Sequence, residues 1–414
     1  MSIWTPDWKI LIDGVDRTDL TLVGMTISSG RNNIYTQAQA GYCSLQLINP
    51  NNSNFNINVN SSITVEVKNS ANSYVAIFGG QVSDVAINVN SVGSTAVVTR
   101  LDLLALGGIS RLYKAIWQDA LSQDDDGNQI NTILTQLFIN TWNEVPAAET
   151  WATYEPTEQW LDAQNIGLGD IDTPGQYEMV QRSASEIDFY SIVTQIANSA
   201  LGYIYEDGNG NIGYADAAHR TTYLATYGYT ELDASAALGI GLRQNTTNQN
   251  LVNRYILNYG NNNQVDSEDA ESIALFGQYA LNFNSSIHDA TDAQAVADRQ
   301  IQLRAYPRAF FDSITFPLQN PELDDTDRDA LIGVFMGLPI KVINLPPVIS
   351  DGEFSGYVEG WTFRASVSGL SLTLTVSPTE FSAVAQAWNQ VNAAESWNSI
   401  LNTLQWEDAI GVIS

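Results

Sequence analysis

Two segments near opposite ends of the chain share one pattern of alternating apolar and polar residues, from Ile63 to Thr99 and from Ile340 to Val376. Such alternation has the period of a half-buried β-strand, whose successive side chains point to opposite faces. The pattern therefore predicts two homologous antiparallel β units. Matched positions at a constant spacing are Phe78 with Phe354, Gly80 with Gly356, Val82 with Val358 and Thr99 with Thr375.

Further strand signals complete each unit. Residues 8–16 predict a strand that ends in an Asp-Gly turn, and residues 40–50 predict another that ends at Asn-Pro. The stretch 311–321 loosely repeats residues 44–50 and is expected to open the second unit. Because long unpaired edges invite aggregation, we expect each sheet to close on itself as a small barrel or sandwich.

A tryptophan-rich segment is duplicated as well. W-N-E-V-P-A-A-E-T-W starts at Trp142 and W-N-Q-V-N-A-A-E-S-W starts at Trp388, and a further tryptophan follows each copy, at Trp160 and Trp406. Internal repeats indicate that a chain was built by doubling. Tryptophans also stack on sugars, but packing against a repeated scaffold is the simpler account of a repeated pattern.

Between the β units the apolar residues take on helical spacing. Residues 187–200 predict a helix opened by a capping box of Ser183 and Glu186. A second helix, capped by Thr291 with Gln294, is predicted over 291–306, and the intervening Y-I-Y-E-D-G-N-G-N-I-G-Y-A-D (203–216) predicts a β-hairpin. The middle of the chain therefore reads as an inserted α+β domain.

The chain is strongly acidic, with 46 acidic and 17 basic residues and a formal net charge of −29. Gripping nucleic acid requires clustered lysine and arginine, so this composition excludes a specific nucleic-acid site but not a channel through which DNA passes. No apolar run approaches the ~20 residues of a membrane span. The first residues lack the features of a signal peptide, so we expect assembly in a cytoplasm.

Candidate catalytic chemistry is sparse. His219 and His288, the only histidines, lie in no recognisable zinc or Ser-His-Asp pattern. Phosphate-loop, dinucleotide and Cys-x-x-Cys motifs are absent. The single cysteine, Cys43, occupies an inward-facing strand position and is expected to be a buried, inert thiol. The sequence predicts no enzyme activity, no cofactor and no metal.

Three acidic tracts invite a metal hypothesis, and in each a structural account is preferred. Asp124–Asp126 lack the glycine and the bidentate glutamate of a calcium loop and predict a solvated turn before a helix over 130–138. Asp207, Asn209 and Asn211 are assigned to the hairpin turn. The aspartates within 324–329 are expected in a first helical turn, where they complement the helix dipole.

Four stretches resemble the baseplate or tail-tip hub proteins of tailed bacteriophages: 27–49, 78–85, 183–220 and 271–308. With the second strand block they span most of residues 8–378. The resemblance implies two tail-tube-like antiparallel β-barrels flanking a middle α+β region, in a mainly β chain. The predicted domains are a first barrel (1–112), a Trp-containing connection (113–180), a middle α+β domain (181–300), a second barrel (301–378) and a C-terminal helix and Trp-containing tail (379–414).

The resemblance also implies a function. Three chains with two barrels each present six barrels, so a homotrimer would join a sixfold tail tube to a threefold spike or fibre. Its partners would be a tail tube or distal tail ring protein above, a spike or fibre below and other baseplate proteins. We expect a virion protein at the tail tip, without stable membrane insertion, whose acidic lumen lets DNA pass without sticking.

Two other functions remain open from the sequence. A hexameric distal tail ring protein would carry one barrel per chain, whereas two are predicted here. A carbohydrate-binding or depolymerising tail protein would need an exposed tryptophan platform or a cleft with paired acids.

Overall fold

The computed structural model describes residues 4–51, 56–89, 99–138, 167–237, 244–246, 249–260, 262–307, 309–311, 313–349, 352–366 and 369–379. The duplicated tryptophan segments, the C-terminal helix and most of the predicted connection before residue 167 lie outside these residues. The fold is mainly β, with helices confined largely to the middle of the chain, as the sequence predicts.

The described residues of the first β unit form seven strands. Along β4 and β7 buried and more exposed residues alternate regularly, which confirms the predicted period. Cys43 faces inward on β4 and is fully buried, as predicted. The strands are β1 (Trp8–Ile12), β2 (Val15–Asp16), β3 (Thr21–Gly30), β4 (Tyr42–Asn49), β5 (Ser62–Lys68), β6 (Tyr74–Val89) and β7 (Thr99–Leu106).

The middle region combines short strands with five helices among the described residues. The elements are β8 (Ile116–Trp117), β9 (Asp124–Asp125), α1 (Asp126–Phe138), β10 (Leu168–Ile171), β11 (Glu178–Met179), β12 (Ile187–Asp188), α2 (Phe189–Ser199), β13 (Tyr203–Glu206), β14 (Ile212–Ala215), α3 (His219–Tyr227), β15 (Thr230–Asp233), β16 (Gln244–Thr246), β17 (Arg254–Tyr259), β18 (Asn263–Glu268), α4 (Ala270–Phe276), β19 (Ala280–Asn284) and α5 (Ala290–Arg304). The predicted hairpin is confirmed, since β13 and β14 pair antiparallel.

The second β unit follows α5, which itself runs through the predicted boundary at residue 300. The helix of the second unit, at residues 325–332, has acids in its first turn, as predicted. Asp324 caps this helix by accepting a hydrogen bond from the Asp327 amide at 2.8 Å. The elements are β20 (Ala309–Phe311), β21 (Ile314–Pro317), α6 (Asp325–Ile332), β22 (Pro339–Ile343), β23 (Phe354–Ser366) and β24 (Gly369–Pro378).

The two units are built on the same strand pairs. Ile63 lies opposite Gly80 in the pair β5–β6, and Ile340 lies opposite Gly356 in the pair β22–β23. Each long strand then has a bulge at the same place: Ser83 is the extra residue of β6 against β7, and Glu359 is the extra residue of β23 against β24. Shared register and a shared bulge support the predicted duplication.

The equivalence extends to β4 and β21. Leu45 of β4 lies opposite Leu103, and Ile314 of β21 lies opposite Leu374. Leu103 and Leu374 hold equivalent places in the strand pairs β6–β7 and β23–β24. The sequence similarity between 44–50 and 311–321 therefore reflects matching strands.

One matched pair from the sequence is wrong. Thr375 lies opposite Gly360, whereas the matching place in the first unit is held by Leu104, opposite Asp84. Thr99 is therefore not the counterpart of Thr375. The reason is that the connection between β6 and β7 is longer than that between β23 and β24, which shifts the numbering of the second strand.

Among the described residues, β20 pairs with β16 in a separate sheet, whereas β1–β7 and β21–β24 of the two units form one twelve-stranded sheet together with β15 of the middle region. Its order is β15-β22-β23-β3-β4-β7-β6-β5-β1-β2, with β21 joined through β24. Among the described residues no ring of strands closes, because an edge of the second unit pairs with an edge of the first. This differs from the expectation that each unit closes separately.

The two main helices of the middle region are present as predicted, but each begins after a different capping residue from the one predicted. The first middle helix begins after Asp188, whose side chain accepts a hydrogen bond from the Ser191 amide at 2.8 Å, and not after Ser183. The second begins after Asp289, which caps Thr291 and Asp292. In both cases an aspartate close to the apolar stripe is better placed to cap the helix than the predicted residue.

Candidate functional site

The most distinctive site is the junction at which the two β units meet. The second half of β23 pairs antiparallel with β3 over seven positions, from Gly360 opposite Gly30 to Ser366 opposite Gly24. The backbones come so close at Gly30 that a Cβ there would clash with the main chain of Glu359 and Gly360. Gly30 also has a φ of 91°, which favours glycine. The junction is therefore a continuous stretch of sheet.

A buried charge cluster lies at this junction, centred on the bulged residue Glu359. Its carboxylate accepts hydrogen bonds from Arg31 Nε at 2.6 Å and from Arg220 Nη1 and Nη2 at 2.7 and 2.8 Å. Ser377 Oγ donates a further hydrogen bond to it. Arg31 follows β3, Arg220 lies on α3, and Glu359 lies on β23. The cluster therefore ties the first unit, the middle region and the second unit together.

Electrostatics keep this cluster charged. Desolvation on its own would raise the pKa of Glu359, which is fully buried, but the guanidinium groups of Arg220 and Arg31 hold that pKa well below its usual value. Because one carboxylate pairs with two arginines, the cluster carries one net positive charge. Removing the carboxylate would leave two buried cations unpaired, which is strongly destabilising.

Aromatic rings enclose the two arginines. The guanidinium carbon of Arg31 lies 5.1 Å from the ring centroid of Tyr203, and that of Arg220 lies 4.7 Å from the same ring and 5.1 Å from the ring of Tyr357. Cation–π contacts of this kind stabilise a desolvated guanidinium. Tyr203 begins β13, so the middle hairpin is anchored at the same junction.

A second buried carboxylate, Glu206, joins that hairpin to the first unit. It accepts hydrogen bonds from the Gly41 amide at 2.6 Å, the Ile109 amide at 3.2 Å and Ser29 Oγ at 3.2 Å. Burial raises the pKa of Glu206 to about 7, although these hydrogen bonds act in the opposite direction. The hairpin and the sheet are therefore coupled through a group that titrates near neutrality.

An unpaired edge lies at the matching position of the first unit. From Asp84 to Val89, β6 pairs with β7 on one side and has no strand on its other side among the described residues. Ile87 and Val89 are 56% and 52% exposed there, whereas Phe363, the counterpart of Ile87 in β23, is fully buried. Among the described residues, the two matching half-strands therefore differ: that of β23 is paired at the junction, and that of β6 is an open edge.

The candidate residues named from the sequence do not converge. Asp126 is fully buried, so the predicted solvated turn is wrong at that residue: its carboxylate accepts hydrogen bonds from the amides of Gln176 and Tyr177 at 2.8 Å and from the Tyr214 hydroxyl at 2.6 Å. Asp207 accepts hydrogen bonds from turn amides within its hairpin, as predicted.

Both histidines pair with acids at separate places. His219 Nδ1 lies 2.8 Å from Asp172 Oδ2, and His288 Nδ1 lies 3.0 Å from Glu178 Oε2. Asp289 joins the second pair, so that ligand atoms of Glu178, His288 and Asp289 lie within 4.8 Å of one another. All three side chains are partly exposed; Glu178 contacts His288 directly, and Asp289 is the next residue in the sequence after His288.

The charge cluster was missed from the sequence because its members are far apart. Arg31 and Glu359 are separated by 328 positions, and Arg220 and Glu359 by 139. One signal could have found it: Glu359 is an acidic residue in a strand whose other copy carries Ser83 at that place.

None of the helices that the structure describes combines the length and apolar character needed to span a bilayer.

No protein-family model matches the sequence, and no curated protein is similar enough to count as a relative. Solved structures do match. The 43 kDa tail protein of prophage MuSo2 from Shewanella oneidensis is 10% identical, with a TM-score of 0.56 over 91% of this chain and 100% of that one. A tail protein from Neisseria meningitidis MC58 is 13% identical, with a TM-score of 0.57 over 90% and 96% of the two chains. The predicted resemblance to phage tail proteins is confirmed at the level of the fold, which this chain shares with both proteins over nearly its whole length.

Proposed function

We propose that the chain is a structural protein of a phage virion, a trimeric baseplate or tail-tip hub that joins a sixfold tail tube to a threefold spike or fibre. Each chain carries two equivalent β units, so three chains supply six. Oligomers close through complementary interfaces, and a doubled unit is a physical way to match a threefold partner to a sixfold one. The tail-protein fold supports this assignment.

One observation carries the proposal: the junction inside the chain has an unfilled counterpart. Inside the chain, the second half of β23 pairs with β3. The counterpart of that half-strand in the first unit is the open edge of β6, residues 84–89. By the same symmetry, its partner would be the strand of a second unit that corresponds to β3.

That strand is β16. Tyr42 and Phe311 hold matching places, each three residues before the matched pair of Leu45 and Ile314. Tyr42 lies opposite Ser28 of β3, and Phe311 lies opposite Gln244 of β16. β16 therefore occupies the place of residues 28–30, and among the described residues β20 is the strand that it pairs with.

The ring follows from repeating this junction. The β6 edge of one chain would pair with β16 of the next, so that junctions within and between chains alternate around six units. In the chain, Gly30 lies opposite Gly360; the matching contact between chains would set Thr246 opposite Asp84. Three such contacts close a trimer and pair the β6 edge, which removes the aggregation hazard of that edge. Each unit then contributes an arc of a barrel completed by its neighbours.

The remaining features fit a non-enzymatic channel. The net charge of −29 suits a lumen that repels phosphate, so that DNA passes without specific binding. Partners would be a tail tube or distal tail ring protein above, a spike or fibre below, and other baseplate proteins. The hub would be assembled in the host cytoplasm and act at the tail tip.

Disulfide trapping tests the proposed register. Asp84→Cys and Thr246→Cys in one chain should yield covalent trimers under oxidising conditions, since cross-strand neighbours lie within disulfide range. The matched control is Asp84→Cys with Val348→Cys, because Val348 is an exposed loop residue. This control should give no covalent trimers. Cys43 is buried and should not interfere.

A mass measurement tests the trimer independently of the cross-link. At high protein concentration, analytical ultracentrifugation should give three chain masses for the natural sequence. Ile87→Lys should abolish the trimer, whereas Val348→Lys should leave it intact. Six chain masses, or trimers that persist with Ile87→Lys and show no Asp84–Thr246 cross-link, would refute the proposal.

A further inference from the structure

One group of side chains in the described part of the chain brings a ring nitrogen and carboxylate oxygens together as metal ligands are. It consists of Glu178, His288 and Asp289, whose ligand atoms all lie within 4.8 Å of one another. His288 Nδ1 lies 3.0 Å from Glu178 Oε2. Two ligands of a tetrahedral zinc ion lie roughly 3.3 Å apart, because each bond to zinc is about 2.0 to 2.2 Å long. The spacing is therefore close to that of two ligands sharing an ion.

Strand pairing holds the two main members of this group side by side. Met179 of β11 lies opposite Ile287 in an antiparallel bridge, so Glu178 lies opposite His288. The Glu178 carbonyl oxygen accepts a hydrogen bond from the His288 amide at 2.9 Å. On its other side, Glu178 lies opposite Asp125 of β9. Directly opposite residues of antiparallel strands are side-chain neighbours on one face, so the backbone itself places two carboxylates beside the imidazole.

The start of α5 adds two further carboxylates. Asp289 caps the helix through one oxygen, which accepts hydrogen bonds from the Thr291 and Asp292 amides at 2.8 and 3.0 Å. Its other oxygen receives no hydrogen bond from the described residues. Asp292 Oδ2 accepts a hydrogen bond from the Glu178 amide at 3.3 Å, so this carboxylate also lies beside the group.

Negative charge is therefore in excess at this place. Asp125, Glu178, Asp289 and Asp292 surround one imidazole, and no lysine or arginine of the described residues forms a salt bridge with any of the four. Like charges directly opposite each other on neighbouring strands are destabilising, as for Asp125 and Glu178. A divalent cation bound between these oxygens would neutralise two of the four charges.

The other histidine provides an internal comparison. His219 Nδ1 lies 2.8 Å from Asp172 Oδ2, and no third ligand-bearing side chain of the described residues joins this pair. An ion pair needs one acid, and His219 has one. The group at His288 contains more acids than an ion pair needs, and they are arranged around the same imidazole.

We propose that Glu178, His288 and Asp289 bind a divalent transition-metal ion of the zinc type, with Asp292 or water completing the coordination. A nitrogen ligand combined with carboxylates suits zinc, whereas calcium and magnesium take oxygen ligands. The ion would join β11 to the start of α5 and so stabilise the middle region. The sequence indicated no metal because no spacing motif contains residues so far apart. The proposal does not depend on the trimer, since every ligand lies in one chain.

The test measures metal binding by the full chain after a chelator has been removed by dialysis. Isothermal titration calorimetry with zinc chloride should show saturable binding of one ion per chain, and zinc should raise the melting temperature, because an ion that binds only the folded state stabilises it. Calcium chloride at the same ionic strength should bind at least tenfold more weakly. The only thiol, Cys43, is buried and should not contribute.

Variants assign the binding to this group. His288→Ala removes the nitrogen ligand at a side chain that is 42% exposed, and it should weaken zinc binding at least tenfold. Glu178→Gln, which keeps the size of the side chain, serves as a second variant if His288→Ala fails to fold. The matched control is His219→Ala, which should bind zinc as the natural chain does. The proposal is overturned if zinc does not bind saturably, if calcium binds as tightly as zinc, or if the folded variant keeps the natural affinity.

Discussion

Replacing Glu359 by glutamine removes one negative charge from the centre of the junction while keeping the size and shape of the side chain. Arg31 and Arg220 then remain buried without a counter-charge, because the described residues place no second carboxylate on either of them. Breaking a buried ion pair by removing one partner costs about 3–5 kcal/mol. The Glu359 carboxylate pairs with two arginines, so we expect a loss of unfolding free energy at the upper end of that range.

Urea unfolding measures this loss directly. With a denaturant slope of about 3 kcal/mol per molar urea, the upper value for small proteins, the midpoint should fall by more than about 1 M. Trp361, two residues from Glu359 and 5% exposed, contributes a fluorescence signal close to the site. The matched control is Glu322→Gln, the same substitution at an exposed position, which should change the free energy by no more than about 0.5 kcal/mol.

The sign of the pH dependence gives a second check on the same variant. The pKa of Glu359 is depressed in the folded chain, so its contribution is complete above the unfolded pKa of about 4.3 and is lost as pH falls towards the folded value. The difference between the natural chain and Glu359→Gln should therefore be constant from pH 7 to pH 5 and shrink only in stronger acid. A difference below about 1 kcal/mol at pH 7 would refute the view that this carboxylate holds the three parts of the chain together.

Two further predictions concern the contact between the middle hairpin and the first unit. Burial raises the pKa of Glu206 to about 7, so the folded chain holds a proton that the unfolded chain releases near pH 4.3. The free energy of unfolding should therefore fall by about 3 kcal/mol as pH rises from 4.5 to 7. Glu206→Gln should flatten this pH dependence in urea titrations, and an unchanged pH dependence would contradict the assignment. A Cβ at Gly79 would clash with the backbone of Asn209, so Gly79→Ala should lower the melting temperature and speed proteolysis of the hairpin, whereas Gly24→Ala, where a Cβ makes ordinary contacts, should not.

The sequence predicted what is encoded locally. The hairpin at 203–216 was found because Asp207 and the glycines beside it determine a turn by themselves, and the strand at Ile63 was found because one face of it is buried. Each of these features depends on residues within a few positions of one another, which is the range that periodicity and turn chemistry report.

What the sequence did not reveal depends on contacts across the chain. Nothing near Asp126 indicates that Gln176 and Tyr177 will enclose its carboxylate, so a buried acid was taken for a solvated one. The merging of two units into one sheet was missed for the same reason, because β3 and β23 carry alternation that suits a closed barrel equally well. Alternation reports which face of a strand is buried and leaves the neighbouring strand undetermined.

The two bulges show how a duplicated frame can diverge in strength. Glu359 turns the bulge inside the chain into a buried ion cluster, whereas Ser83, at the same place in the first unit, donates one hydrogen bond to the Leu104 carbonyl oxygen at 3.1 Å. In the proposed ring, the Ser83 bulge lies at the junction between chains. That junction would form by strand pairing and burial of residues such as Ile87 alone, so it should depend on protein concentration, while the junction at Glu359 should persist in the isolated chain. A hub built this way is a stable folded monomer that closes into a ring only when its neighbours are present.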